Sequence, residues 1–228
     1  MLSIQEIQDR LQEIRGQIVD AAGKSGRRPE DVRLIAVTKT HPVEVVQGLV
    51  DSGVVDIGEN RVQELAAKAP LVKGTISWHM VGHLQRNKVK KALEYVDWIQ
   101  SVDSDRLADE IQKYATAAQK KVKVLVEVNT SRDASKTGCP IPEAVTLCEK
   151  VAAAGAMEFC GLMTIGPLSG GEAETRASFV LLRELGEKCR HLSPRIELSM
   201  GMSNDFSWAI EEGSTMVRIG TKLLGGRP

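Results

Sequence analysis

Arg33-Leu34-Ile35-Ala36-Val37-Thr38-Lys39-Thr40-His41-Pro42 is an apolar, β-branched run closed by a lysine, and the rest of the chain is arranged around it. Residues 34–37 show no polar alternation, which is the pattern of a parallel strand covered on both faces. Lys39 ends this predicted strand. An amine at the carboxyl end of a buried strand is poorly hydrated, so desolvation disfavours its ammonium form and a nucleophilic fraction appears near neutral pH. Such a lysine can form an imine with an aldehyde. The competing reading is that it only snorkels out of the strand end into water.

Outward from this strand, the sequence alternates. Residues 3 to about 23 open on Ser3-Ile4-Gln5-Glu6, a capping-box spacing, and carry Ile4, Ile7, Leu11, Ile14 and Ile18 at helical period. After Lys39, Pro42 begins a helix through Val50, residues 54–60 read as a second strand, and 61–69 as a helix. A third strand is expected over 75–82, a short basic helix over 87–93, and a fourth strand ending at Asp103, with Ser104 capping the helix that follows. Residues 121–129 form the fifth strand, and a helix runs from Pro142 to Gly155. The sixth strand lies at 159–166, a long helix at 171–191, the seventh strand at 195–200, a short helix at 205–213 and the eighth strand at 216–221. Eight strand-helix alternations predict an α/β fold, a single-domain TIM-like (β/α)8 barrel with an extra N-terminal helix, spanning 1–228 as one domain. A doubly wound open sheet is the alternative, but no GxGxxG follows the first strand.

Composition narrows the function. Thirty basic residues balance thirty acidic ones, so no charge excess points to nucleic acid or an anionic membrane. Cys139, Cys148, Cys160 and Cys189 have no CxxC spacing, and no cationic segment with an apolar h-region opens the chain. This reads as a cytoplasmic protein with free thiols that handles small molecules.

In such a barrel the functional groups sit at the carboxyl ends of the strands, and loops after strands seven and eight often hold phosphate. Here strand seven leads into Ser199-Met200-Gly201-Met202-Ser203-Asn204, a small-residue loop before a short helix whose first amides are expected to be unpaired. Strand eight ends Arg218-Ile219-Gly220-Thr221, where glycine admits close backbone approach and threonine adds a donor. Closure sets strand eight beside strand one, and so sets Lys39 beside this anion site. A molecule with phosphate at one end and an aldehyde at the other has the shape of pyridoxal 5'-phosphate (PLP), and a phosphosugar carbonyl also fits. Arg218, two residues before Gly220, points to the same side and can meet a pyridine nitrogen, which it would leave neutral. His79 and His83 lack the carboxylate or cysteine partners of a metal site. The patch from Arg86 to Lys91 reads as a solvated helix face, and Lys136 offers a second lysine at the barrel mouth.

Several ordered motifs then carry a resemblance over nearly the whole chain: AVTKT around Lys39, GENRVQE from Gly58, WHMVGHLQRNK from Trp78, VNTSRDASKTG ending at Gly138, GLMTIGP from Gly161, and SMGMSNDF followed by VRIGT. They resemble the pyridoxal phosphate homeostasis protein family, single-domain relatives of the alanine racemase barrel. The resemblance implies an imine between Lys39 and PLP, phosphate held near Ser203, Gly220 and Thr221, Arg218 at the ring nitrogen, and Asn60 and Met202 beside the ring. Departures from the family pattern at Met80, Asn204 and Lys222-Leu223-Leu224 touch neither the lysine nor the phosphate grip.

Racemases of this barrel complete their site with a second domain and a partner's tyrosine, whereas Tyr95 and Tyr114 here fall away from any strand's carboxyl end. A lone barrel leaves its cofactor open to solvent, which suits exchange better than catalysis. The expectation is a monomeric PLP carrier in vitamin B6 homeostasis, with apo PLP-enzymes as recipients. The alternatives are a PLP-dependent amino-acid racemase and a cofactor-free aldolase-like barrel. The apolar face of the first helix offers a surface for pairing if the chain is not a monomer.

Overall fold

The run at 33–37 becomes the first strand of a closed parallel barrel in the computed structural model, which describes residues 3–131, 133, 135–167 and 171–226. The strands are β1 (Arg33–Val37), β2 (Asp56–Glu59), β3 (Ser77–Met80), β4 (Trp98–Val102), β5 (Val122–Glu127), β6 (Met157–Met163), β7 (Glu197–Ser199) and β8 (Met216–Ile219). They follow one another around the barrel in chain order, and β8 closes on β1 with Ile35 opposite Arg218 and Ala36 opposite Ile219. Right-handed crossovers by helices make this order the natural one for alternating strands and helices.

The helices are α1 (Ile4–Lys24), α2 (Val43–Asp51), α3 (Val62–Lys68), α4 (Val89–Ala92), α5 (Asp105–Ala117), α6 (Ala144–Ala152), α7 (Glu172–Lys188), α8 (Phe206–Glu211) and α9 (Thr221–Leu224). The capping box at Ser3 forms as the spacing predicts, with Ser3 and Glu6 bonding reciprocally. Ile7, Leu11, Ile14 and Ile18 are buried, and α1 packs on α2, α8 and α9. Each buried side chain contributes about 2 kcal/mol at most. These four side chains are therefore spent inside the chain, whereas Ile4 and Val19 stay exposed.

Local differences from the sequence reading have plain causes. Pro142 sits inside a 3-10 turn (Ile141–Glu143), so α6 begins later than expected. Ser104 occupies the N-cap position of α5, but its hydroxyl donates to Asp103 Oδ1 at 3.0 Å and caps nothing. The helix α9 was not expected, since four residues give no period to read.

Inside the barrel, Ile35, Trp98, Leu125, Cys160, Met163 and Met216 form an inner apolar cluster separate from the larger one between strands and helices. Trp98, at the start of β4, has the Arg33 guanidinium 5.3 Å and the Lys123 amine 5.2 Å from its ring centre. The amino end of the barrel is thus filled. All four cysteines are buried and unpaired, and no described helix is long and apolar enough to cross a membrane.

Candidate functional site

The pairing of β1 with β8 brings their carboxyl ends together, and a cavity of about 480 Å³ opens above them. Its walls include Lys39, Asn60, Met202, Ser203, Arg218, Gly220 and Thr221, so all seven residues singled out from the sequence meet in one place. A Cβ on Gly220 would lie 3.3 Å from the carbonyl oxygen of Val37, a close approach between the two strands that glycine eases.

β1 stops at Val37, so Lys39 lies two residues past its end, half-buried in a turn and not on the strand itself. That turn is held from several directions. Thr38 N donates to Gly58 O at 3.0 Å, and Thr38 Oγ1 donates to Glu59 Oε1 at 2.6 Å. Lys68 Nζ, from α3, donates to Thr38 O at 2.8 Å and to Glu59 Oε1 at 2.7 Å. On the other side Thr40 N donates to Glu64 Oε2 at 2.6 Å. Burial pushes the Glu59 carboxyl above its ordinary range despite the opposing pull of Lys68 and Thr38, and its Oε2 has no partner among the described residues. Thr40 adopts φ 65, a conformation that a β-branched residue tolerates only when its surroundings impose it. Lys39 itself carries no hydrogen bond or ion pair from any described residue, so its amine is presented to the cavity unengaged.

The opposite wall is the loop after β7. Gly201 has φ 92, and a Cβ there would lie 2.5 Å from Ala209 Cβ. Met202 N donates to Asp205 Oδ1 at 2.6 Å, and Lys222 N donates to Ser203 Oγ at 3.1 Å, which ties this loop to the start of α9. At the start of α8, Asp205 N and Phe206 N both donate to Met202 O, while the amides of Ser207 and Trp208 have no protein acceptor among the described residues, as the sequence predicts. The amides of Ser203, Asn204 and Gly220 are left without a protein acceptor among the described residues. Backbone donors converging from two loops favour an anion.

Between these walls lies Arg218, buried, with Nη1 donating to Ser199 Oγ at 2.6 Å and Nη2 to Thr164 O at 2.8 Å. Burial pulls its pKa down to about 10 against the opposing effect of Glu127 and Asp205, so it remains a cation at neutral pH. Asn60 keeps its place because Gly82 carries no side chain. A Cβ at Gly82 would come within 2.4 Å of Asn60 O, which explains the glycine in WHMVGHL.

Four further wall residues, Ile165, Thr175, Asp205 and Trp208, received no role from the sequence. Asp205 was legible, as an aspartate three residues after Met202 in a tight turn. Burial raises its carboxyl above the ordinary range. Ile165 and Thr175 come from β6's end and α7, and only the folded chain brings them in. Lys136 donates to Gly166 O at 2.6 Å, next to the wall. His83 pairs with Asp103 at 3.2 Å, and no cluster of metal-ligating side chains occurs among the described residues. An unengaged amine, an amide-lined anion corner and a buried cation between them are the donor set of a phosphorylated aldehyde on a nitrogen heterocycle, and PLP fits it.

Comparison with known proteins leads to the same cofactor. Residues 10–228 match the family model of the alanine racemase N-terminal domain. The pyridoxal phosphate homeostasis protein of Vibrio alginolyticus is 37% identical over 228 residues, 97% of each chain. PipY of Synechococcus elongatus, solved with PLP bound, superposes with a TM-score of 0.84 at 35% identity, covering 96% of this chain and 100% of that one. Alanine racemase of Clostridium difficile shares the fold, with a TM-score of 0.78 at 16% identity over 98% of this chain and 57% of that one.

Proposed function

This chain belongs to the pyridoxal phosphate homeostasis protein family, and from that premise we propose that it holds PLP on Lys39 and serves intracellular vitamin B6 homeostasis by delivering the cofactor, without a reaction of its own. The observation that carries the reading is the shared cavity, lined by the unengaged Lys39 and by Ser203, Asn204 and Gly220 with their free amides. PLP would supply an electrophilic carbonyl to the primary amine of Lys39. Lys39 acts as the tether. Ser203, Gly220 and Thr221 would grip the anion, Asn60 and Met202 would flank the ring, and Arg218 would donate to its nitrogen.

Arg218 cannot protonate that nitrogen, because a guanidinium gives up its proton far above neutral pH even when burial weakens it. The ring would stay a weak electron sink, which disfavours carbanion chemistry. The cavity's other titratable side chain, Asp205, is occupied by Met202 N. Neither Tyr95 nor Tyr114 lines it. These features support a carrier open to exchange with apo-enzymes.

The deciding experiment is a visible spectrum of PLP-loaded protein with and without Lys39→Ala, followed by borohydride reduction and mass mapping. The wild type is expected to be yellow and to carry the reduced adduct at position 39, while Lys39→Ala keeps its fold and loses the adduct. An adduct fixed at Lys136 instead would move the tether there. Interconversion of L- and D-amino acids well above the rate of free PLP would replace the carrier reading with a racemase.

A further inference from the structure

Behind Arg218 a line of polar side chains runs through the barrel interior. Arg218 Nη1 donates to Ser199 Oγ at 2.6 Å, and Ser199 Oγ donates to Gln100 Oε1 at 2.7 Å. Gln100 Nε2 is 2.9 Å from His79 Nδ1, and His79 Nε2 is 2.9 Å from Asp56 Oδ1. The five residues come from β8, β7, β4, β3 and β2, and all are buried. A (β/α)8 interior is ordinarily filled with branched apolar side chains, and a buried polar row is costly unless every member is satisfied. Each link here is made.

The two ends fix the direction of the chain. A guanidinium can only donate and an ionised carboxylate can only accept, so Ser199, Gln100 and His79 must each accept on the Arg218 side and donate on the Asp56 side. This imposes one tautomer on His79, neutral with the proton on Nε2. A second proton on Nδ1 would confront the Gln100 amide hydrogens and force that amide to flip. The flipped NH2 would then face Ser199 Oγ, which already accepts from Arg218. The ring of His79 is further fixed by stacking on Trp98, with centroids 5.4 Å apart and planes 11° from parallel. The charged groups facing His79 are Asp56 from β2, Arg33 from β1 and Asp97 ahead of β4, and those facing Arg218 are Glu127 from β5 and Asp205 from the loop before α8.

We propose that Ser199, Gln100, His79 and Asp56 are positioning residues for Arg218, a one-way donor chain that locks the rotation of its guanidinium and so sets how firmly the cavity retains PLP. The inference rests on the PLP reading for its functional consequence, but the lock itself exists without cofactor. With one Nη committed to Ser199 and the other to Thr164 O, the guanidinium plane is fixed and its remaining N–H groups are left for the cavity. Cooperative polarisation along such a chain strengthens each bond.

The test compares Gln100→Leu, which removes both central links, with Asp56→Asn, which keeps the shape but removes the terminal charge. In the cofactor-free protein, 15N NMR should show wild-type His79 with its proton on Nε2 and Arg218 guanidinium signals that shift or broaden in Gln100→Leu. In the loaded protein, Gln100→Leu should weaken PLP retention about tenfold and move the pH midpoint of its visible band, with Asp56→Asn changing both in the same direction by less. Should Gln100→Leu not fold, Asp56→Asn carries both measurements. Unchanged Arg218 signals in the folded variants, or a His79 proton on Nδ1, overturn the relay. A wild type that takes up no PLP overturns the cofactor reading instead, and the NMR result still decides the lock.

Discussion

Lys68 Nζ lies 2.8 Å from the carbonyl oxygen of Thr38, the residue immediately before Lys39. The same amine neutralises Glu59, whose second oxygen is buried without a partner among the described residues. Removing Lys68 alone would strand a buried carboxylate, and breaking a buried pair from one side costs about 3 kcal/mol. Lys68→Met should therefore lose about that much in denaturant unfolding. Adding Glu59→Gln should recover part of the loss, and a double variant as unstable as the single one would show that the pair is not the source.

Thr40 stores strain that glycine would release. Its φ of 65 is unfavourable for a branched side chain, while its N–H to Glu64 is made by the backbone and survives substitution. Thr40→Gly is expected to keep or raise folding stability, by up to about 1 kcal/mol. The same change loosens the turn that presents Lys39, so PLP should leave faster in a gel-filtration retention assay. Slower release would mean that the strain opposes binding.

His79 should leave a signature in the pH dependence of stability. Burial holds its pKa below the ordinary 6.5, against the opposing effect of Asp56. Above pH 6.5 the imidazole is neutral in both folded and unfolded chains, and its contribution is complete. As pH falls below 6.5 the unfolded chain takes up a proton that the folded chain refuses, so stability drops, by at most about 1.4 kcal/mol per pH unit, until the folded pKa is reached. His79→Gln should flatten this limb between pH 6.5 and 5. His41, whose pKa is also depressed by burial, remains in both proteins and cancels in the difference. Parallel curves for variant and wild type would contradict the assignment.

Gly201 has no room for a side chain. A Cβ would sit 2.5 Å from Ala209 Cβ and 2.9 Å from Phe206 Cα, at a φ of 92. Gly201→Ala is expected to destabilise the fold by about 2 kcal/mol and to cut phosphate-dependent PLP retention, because Met202 and Ser203 follow directly. Equilibrium dialysis against PLP and pyridoxal separates the two effects: affinity for pyridoxal should change less.

Much of this was readable before folding. Val37, Phe159 and Leu125 lie in apolar runs that mark buried parallel strands, and the segments just past β1, β7 and β8 carry Lys39, Ser203 and Gly220. Neighbourhood across the barrel was less so. Gln100 and His79 each look like an isolated polar residue in a strand, and only the closed register aligns them with Ser199 and Arg218. Lys68 looked like an ordinary helix cation for the same reason, since nothing in 61–69 announces a carbonyl thirty positions earlier. Short-range pattern encodes elements, whereas partnerships between distant residues depend on how those elements come to adjoin.

Trp98, pinned between Arg33 and Lys123, works as a stopper. With one end of the cylinder corked, the cavity opens at the other, at the rim that carries Lys39 and Thr221. On the carrier reading proposed above, a recipient would stand where the next PLP enters, so loading and unloading would take turns at that threshold.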